Sequence, residues 1–274
     1  MKNIKLLLLI VTLISLASCE EVVQVDLDTA PPRLVVDASI DWQKGTPGNE
    51  QSIKLTTTTG YYDTVIPVVS NATVFITSNS NAVFNFVEAP GTGIYNCTNF
   101  IPVIGETYTL TVVTNGQTYT ATETLHAVPE IGEIVQDDEG GFLNEDIEVR
   151  FYFQDNGAED NWYLSRFDTP VQAYPDYDAL QDRFNQGNEM FNFYSHEDLA
   201  AGQTIGIKLW GISERYYNYM MQIISIAEGG AGGGPFQTPP VTVRGNLVNQ
   251  TDINNFALGY FRVAEMDTVE YTVQ

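Results

Sequence analysis

The sequence has few of the residues on which enzymes most often rely. It contains two histidines and two cysteines in 274 residues, and His126 and His196 fall in different predicted domains. It lacks a Gly-x-Ser-x-Gly elbow and a His-Glu-x-x-His zinc helix. Its glycine-rich run at 229–234 follows a predicted helix instead of opening one, so it indicates a flexible connection and not a phosphate loop. We therefore predict no catalytic residues, no cofactor and no enzyme activity.

Basic residues are also scarce. Twelve Lys and Arg stand against 35 Asp and Glu, which gives a formal net charge of −23. Nucleic acids are bound by clustered Lys and Arg, and a surface this acidic repels them. Nucleic-acid binding is therefore excluded.

No apolar run is long enough for a transmembrane helix. The longest, residues 6–16, has roughly eleven residues, whereas a helix needs about 20 to cross a bilayer. Because it follows Lys2 and Lys5 and ends in small residues, we predict a signal peptide at 1–18. Its removal leaves 12 − 2 = 10 basic residues and a net charge of 10 − 35 = −25.

The end of this segment, Leu16-Ala17-Ser18-Cys19, resembles the bacterial lipobox. We predict that Cys19 is lipidated and holds the protein on a membrane, because two or three acyl chains form a durable anchor. An ordinary signal peptide with a chance cysteine is the alternative. Lipidation would leave Cys97 without a disulfide partner, so we expect Cys97 to be a small buried residue.

The rest of the chain is rich in short segments that alternate apolar and polar residues. Such segments, bounded by Gly, Pro, Asn and Ser, are typical of β-strands. In the first half they lie at 22–27, 34–40, 52–58, 72–77, 82–87, 93–96, 108–114 and 118–125. In the second half they lie at 147–153, 161–167, 205–210, 241–247 and 257–263. Asn115-Gly116 indicates a tight hairpin between two of them.

This pattern predicts a mainly β fold with two tandem immunoglobulin-like or transthyretin-like β-sandwich domains. We place the first at 19–126 and the second at 127–274, with the boundary near Pro129. The second is expected to contain one inserted α-helix at about 213–228. Tyr216, Met220, Ile223 and Ala227 form its apolar face, and Ser213 can cap its first turn.

Residues 169–199 show no sustained period. At about thirty residues the segment is too long for an ordinary connection, and loops of that length are often functional. Its aromatic residues can fill a core or form an exposed interface with a sugar or a protein. We select five as candidate contacts for a ligand or partner: Tyr174, Tyr177, Phe184, Phe191 and Tyr194.

Two further patterns concern metal binding and modification. Oxygen ligands suited to calcium crowd together at Asp155, Asn156, Glu159, Asp160 and Asn161. They do not fit the EF-hand spacing, so a turn between strands is the favoured interpretation and we predict no metal site. Three Asp-Thr-apolar triplets resemble the O-glycosylation motif of periplasmic proteins in Bacteroidota, with acceptors at Thr29, Thr64 and Thr268.

Several segments together resemble a family of Bacteroidota lipoproteins, domain of unknown function 4249. The C-terminal ones are Ile212-Ser213-Glu214, Pro235 to Pro240, Arg244-Gly245-Asn246 and Ala257 to Phe261; Cys19-Glu20-Glu21 and Leu34 to Asp37 match near the N-terminus. The resemblance implies an outer-membrane lipoprotein, often encoded beside a TonB-dependent receptor, with no assigned activity. Glu20-Glu21 also resembles the acidic export signal that sends such lipoproteins to the cell surface.

Three functional hypotheses follow. The first is a non-enzymatic accessory of a TonB-dependent receptor, anchored by lipid to the outer membrane and facing outwards, that helps to capture or gate the receptor's ligand. The second is a free-standing adhesin or glycan-binding module that acts through the five aromatic candidates. The third, a hydrolase with paired carboxylates, needs a cleft that a sequence cannot reveal.

Overall fold

A computed structural model describes residues 30–227 and 242–274. Six predictions lie outside the described residues: the signal peptide at 1–18, lipidation at Cys19, the export signal at Glu20-Glu21, the strand at 22–27, the acceptor Thr29 and the glycine-rich connection at 229–234. The described residues form fifteen strands and one helix. In chain order these are β1 (Leu34–Gln43), β2 (Gln51–Thr57), β3 (Thr73–Ser78), β4 (Val83–Ala89), β5 (Ile94–Cys97), β6 (Thr107–Thr114), β7 (Gln117–Thr124), β8 (Ile131–Gly140), β9 (Asp146–Gln154), β10 (Trp162–Asp168), β11 (Asp176–Gln181), β12 (Glu189–His196), β13 (Thr204–Ile212), α1 (Glu214–Ala227), β14 (Val248–Asn249) and β15 (Leu258–Thr272).

Twelve of the strands form one sheet that turns a corner. Its order is β11-β10-β13-β15-β1-β2-β5-β4-β3-β6-β7-β14, and the corner lies in β4, which pairs with β3 through its first half and with β5 through its second. The remaining strands form a small sheet in the order β12-β9-β8. The hairpin predicted at Asn115-Gly116 is confirmed, since both residues have positive φ and Thr114 pairs with Gln117.

Strand β15 is long and pairs with two different strands, β1 and β13. Its first part pairs in parallel with β1, from Leu258 opposite Val35 to Met266 opposite Gln43, and its last part pairs antiparallel with β13. Successive side chains of a strand point to opposite faces. The odd-numbered residues Phe261 and Val263 therefore enter one core. Farther along, Val269 packs against a second core, which also contains Val273 just beyond the strand.

The first core lies between β1, β2 and β5 and the strands around the corner, β3, β6 and β7. Every second residue of β1 is buried there, from Leu34 to Ile40, as alternation in the sequence predicts. Cys97 is confirmed as a buried residue of this core. The second core lies between the sheet of β8, β9 and β12 and the strands β10, β13 and β15. Each core is apolar and packed on both sides, which is the layer arrangement of a β-sandwich.

The fold class is confirmed: the protein is mainly β and sandwich-like, with one helix among the described residues. That helix, α1, begins and ends within one residue of the predicted limits, and Ser213 caps it by accepting a hydrogen bond from Tyr216 N at 3.2 Å. No helix in the described ranges is long and apolar enough to cross a membrane. The division of the chain near Pro129 stays a prediction. Strands β14 and β15 lie beyond that point, yet Leu247, Phe261 and Val263 belong to the first core.

Two secondary-structure predictions were wrong. The segment 169–199 is not an irregular loop, because it contains β11 and β12. In β12 both faces carry large apolar side chains, with Met190 and Tyr194 inside and Phe191 and Phe193 outside. This hides the alternation on which the prediction depended.

The described part of the segment predicted as a strand at 241–247 is irregular. The reason lies in its contact with β15. The side-chain amide of Asn246 makes the two hydrogen bonds to Phe261 that the backbone of a neighbouring strand would otherwise make. It donates to Phe261 O at 2.7 Å and accepts from Phe261 N at 2.9 Å. Gly245 lies so close to Gly259 that a Cβ atom would overlap the Gly259 carbonyl. Gly259 itself has φ of +85°, a conformation that favours glycine.

Candidate functional site

A groove lies on the face of the sheet that points away from the two cores. Helix α1 crosses this face and leaves between itself and the sheet a groove with a volume of about 620 Å³. The floor comes from the side chains that alternate with the core residues of β1, β10, β13 and β15. We call this feature the α1 groove. Its polar and aromatic members are Asp37, Ser39, Arg166, Asp176, Tyr177, Trp210, Tyr216, Tyr219, Tyr260 and Arg262.

A buried arginine forms the centre of the floor. Arg262 is 6% exposed, and its Nη2 donates to Asp41 Oδ1 at 2.6 Å, an oxygen that also accepts from Trp210 Nε1 at 3.0 Å. The guanidinium lies 5.1 Å from the Trp210 ring centre and 5.3 Å from that of Tyr216. Burial works to lower the pKa of Arg262, but Asp41 together with Tyr216, Tyr177 and Asp37 outweighs it and raises the pKa, so the side chain stays charged.

One nitrogen of this arginine lacks a partner. The Nε atom of Arg262 is buried and has no hydrogen-bond partner among the described residues. An unpaired buried donor costs about 1–3 kcal/mol. A buried polar group without a partner is uncommon in native structures, and this one lies in the floor of the α1 groove.

A second arginine lies at the β10–β11 side of the groove. Arg166 Nε donates to Asp168 Oδ1 at 2.9 Å, and Nη1 donates to the hydroxyl of Tyr177 at 3.2 Å. Lys208 also contacts Asp168, at 3.2 Å. The groove therefore presents two guanidinium groups in a protein with a large excess of acidic residues.

Three tyrosines pack together where α1 meets β15. The rings of Tyr216 and Tyr219 both lie 4.7 Å from that of Tyr260. Burial raises the pKa of all three, so they are neutral hydroxyl groups at physiological pH. The hydroxyl of Tyr260 donates to Glu123 Oε2 at 3.1 Å, and burial raises the pKa of that carboxyl as well.

The far wall of the groove is apolar and only partly covered. The predicted apolar face of α1 is deeply buried at Tyr216 and Met220, half-buried at Ile223 and exposed at Ala227. The last turns of the helix thus leave apolar side chains accessible along the groove. Together with the aromatic floor and the two arginines, they form a surface suited to an amphipathic ligand.

Few side chains of the α1 groove are charged. Its acidic members are Asp37 and Asp176, and its lining includes no histidine, cysteine or lysine. The described residues contain no cluster of three or more His, Cys, Asp or Glu side chains that could hold a metal ion.

The five aromatic candidates do not form one surface. Tyr177 lines the α1 groove, Tyr194 is 3% exposed and belongs to the second core, and Phe191 lies on the outer face of β12. Tyr174 and Phe184 are 84% and 86% exposed. They precede and follow β11, whose six residues span roughly 20 Å.

The acidic segment at 155–161 is the turn between β9 and β10. The Asp155 carboxylate accepts hydrogen bonds from Tyr163 Oη at 2.6 Å and from Gly187 N at 2.7 Å. Both of its oxygens are therefore used by the protein, as the turn interpretation expects. Of the described glycosylation candidates, Thr64 lies in an exposed loop, and Thr268 is half-buried in β15 opposite Lys208.

Most residues of the α1 groove were not predicted from the sequence. Arg262 lies among apolar residues in the run Phe261 to Ala264 of a predicted strand. A charged residue in such a run is the one local signal that could have identified it. The contribution of Trp210 depends on strand order, which the sequence does not reveal. Asp41 was missed because it lies just past the predicted end of β1.

Comparisons with known proteins identify the family of this chain. No curated protein matches the chain. Among solved structures, a two-domain fibronectin type-III segment of chicken tenascin is 13% identical and is aligned over 66% of this chain and 91% of its own, with a TM-score of 0.22. Domains FN1–FN3 of chicken CNTN1 are 12% identical over 68% of this chain and 64% of theirs, with a TM-score of 0.27. The model of the family described as "Domain of unknown function (DUF4249)" matches residues 20–269, as the resemblance in the sequence led us to expect. The chain belongs to this family.

Proposed function

We propose that this protein is a non-enzymatic binding lipoprotein of the outer membrane that acts beside a TonB-dependent receptor. In this proposal Cys19 carries the lipid, and the protein faces the cell exterior and helps to capture or gate the receptor's ligand. The α1 groove is the observation that carries the proposal. It places arginine, tyrosine and tryptophan side chains along a groove between α1 and the sheet, without a recognisable set of catalytic residues.

The groove also indicates the kind of ligand. Its aromatic floor and the apolar wall of α1 suit a flat or aliphatic body, whereas Arg166 and Arg262 suit a carboxylate or phosphate. An amphipathic anion fits this combination. Binding such a ligand at the cell surface would supply a receptor that imports it.

Two measurements test this function. Tagged protein purified in mild detergent from its own outer membrane should bring down a TonB-dependent receptor in stoichiometric amount, and recovery of the protein alone would contradict the partnership. Native mass spectrometry of the same preparation should show a bound small molecule. Tyr219→Ala, which removes a ring from the groove, should lose that molecule, and Tyr174→Ala, at an exposed site outside the groove, should keep it.

An adhesin or glycan-binding module is the second candidate, because Tyr174 and Phe184 are strongly exposed. Exposed aromatic rings can stack on sugars. Replacement of both by alanine should abolish retention on a glycan surface if this candidate is right. Retention that survives the double variant, with receptor co-purification intact, would favour the first function.

A further inference from the structure

An exposed apolar loop lies between β2 and β3. Four of its side chains are more than 60% exposed: Tyr61 at 86%, Tyr62 at 76%, Val65 at 74% and Ile66 at 61%. The rings of Tyr61 and Tyr62 contact each other edge to face with their centres 5.1 Å apart. We call residues 58–68 the tyrosine loop. Large exposed apolar side chains grouped in one loop favour an interaction surface.

The tyrosine loop lies where the chain enters the fold from its predicted lipid anchor. Arg33 N donates to Thr58 Oγ1 at 2.9 Å, and Thr58 N donates to Arg33 O at 2.9 Å. Arg33 directly precedes β1. Residues 19 and 33 are fourteen positions apart (33 − 19), a tether that cannot exceed about 50 Å.

Cationic and further apolar side chains lie at the same end. The guanidinium groups of Arg33 and Arg244 are 3.7 and 3.8 Å from the ring centre of Phe256. Arg33 Nη1 also donates to Asn254 O at 3.3 Å, which places Ile253, 78% exposed, in the neighbouring loop. Two arginines together are notable in a chain with 12 basic and 35 acidic residues.

We propose that the tyrosine loop, with Ile253, Arg33 and Arg244, rests on the interfacial region of a lipid bilayer. The proposal rests on the lipid anchor of the proposed function. Tyrosine is enriched at membrane interfaces because its ring is apolar and its hydroxyl is polar. Arginines near the surface attract anionic headgroups. Two arginines are sufficient for this contact, because the lipid anchor supplies most of the membrane affinity.

Asp63 limits the depth of this contact. Its carboxylate accepts hydrogen bonds from Thr59 Oγ1 at 2.6 Å and from Gly60 N at 2.8 Å, which lower its pKa and fix the turn. A charged carboxylate is costly in hydrocarbon. The loop therefore lies among the headgroups, with Val65 and Ile66 reaching the boundary of the acyl chains.

The opposite end of the same sandwich provides a matched control. Ile101, 60% exposed, lies in the loop after β5, close to Asn49, whose carbonyl accepts from Phe100 N at 3.1 Å. Strand β1 has ten residues and separates this end from the tyrosine loop by roughly 30 Å. Ile66 and Ile101 are thus exposed isoleucines at opposite ends of one sandwich.

The test places a spin label at Ile66→Cys or Ile101→Cys of the full lipidated protein. Cys97 is buried at 2% exposure and should not react. On vesicles of phosphatidylcholine and phosphatidylglycerol, the label at 66 should gain contact with oxygen and lose contact with aqueous chromium oxalate. The label at 101 should not change. No change at position 66 would overturn the proposal, as would protection only when a receptor is added, or a glycan found on Thr64.

A second arm separates this proposal from the anchor. A chain with Cys19→Ser and an N-terminal hexahistidine tag is held on vesicles by a nickel-chelating lipid, so that the tyrosine loop is tested without acylation. The mass of the N-terminal peptide from native membranes reports lipidation independently. On these vesicles the spin label at Ile66→Cys should again gain contact with oxygen, and Tyr61→Ser with Tyr62→Ser should remove most of that gain. A label that gains no contact with oxygen, or that keeps the full gain in the double variant, would contradict the proposal, whatever the state of Cys19.

Discussion

The two faces of β15 differ in composition, although they belong to one strand. On the inner face, the side chains of Phe261 and Val263 are at most 1% exposed and belong to the apolar first core. On the outer face, Tyr260 and Arg262 are also buried, yet they lie beneath α1 in a polar and aromatic setting. Burial alone therefore does not separate the two faces. The chemistry of the neighbours does.

This difference indicates that the two faces of β15 have different roles. The inner face supplies stability through close packing, which tolerates little change. The outer face holds a buried charge with one unpaired nitrogen, a local energetic cost that close packing alone does not require and that suits a binding surface. Substitutions on the two faces of β15 and α1 should therefore have distinct consequences.

The largest effect is expected on the inner face. Phe261→Ala removes a fully buried ring from the junction of β1 and β15 and should lower the free energy of unfolding by about 3–5 kcal/mol. Denaturant unfolding followed by circular dichroism measures this. Tyr260→Phe, its neighbour on the outer face, loses only a hydrogen bond to Glu123 and should cost about 1 kcal/mol. Equal losses would mean that the two faces do not differ as described.

A smaller loss is expected for the buried charge. Arg262→Met keeps the length of the side chain but leaves Asp41 with Trp210 as its hydrogen-bond donor. Because the Asp41 side chain is 31% exposed, water can compensate in part, and we expect a loss of about 2 kcal/mol. Arg166→Met should cost under about 1 kcal/mol, since Lys208 still pairs with Asp168. A more stable Arg262→Met protein would show that the charge is retained for binding alone.

Local sequence patterns predicted the inner, core-forming face of the sheet, but they did not predict the outer face that forms the α1 groove. Alternation from Leu34 to Ile40 and in β6 and β7 gave the core strands, and four-residue spacing gave α1. The groove needs contacts between distant segments: Asp41 meets Arg262 and Trp210 only because β1, β15 and β13 are neighbours. Strand order of this kind depends on pairing across more than 200 residues, for which a sequence carries no local pattern. The short strand β14 and the bulged, acidic β8 were missed because polar residues mask their pairing.

A pH-dependent effect tests the edge of the groove. Burial raises the pKa of Glu123 above that of the unfolded chain. Its contribution to stability is thus fully present below the ordinary carboxyl range and is lost as pH rises through the folded-state pKa. Glu123→Gln can still accept from Tyr260 but cannot ionise. The variant should therefore gain stability relative to the wild type at neutral pH and lose this advantage below pH about 4. Parallel urea unfolding curves at acid and neutral pH measure the difference, and a constant offset would contradict it.

The smallest effect on stability, paired with a large effect on binding, is expected at the end of α1. Ile223 and Ile226 lie one turn apart on this helix, but Ile223 lines the groove and Ile226 is 42% exposed outside it. Serine at either position should change the free energy of unfolding by less than about 1 kcal/mol, because both side chains are partly exposed. Only Ile223→Ser should lose the bound molecule seen by native mass spectrometry. If both variants keep it, the ligand does not touch the wall of α1. If both variants lose it, serine at either position disturbs the whole last turn of α1. The outer face would then depend on close packing, as the inner face does at Phe261.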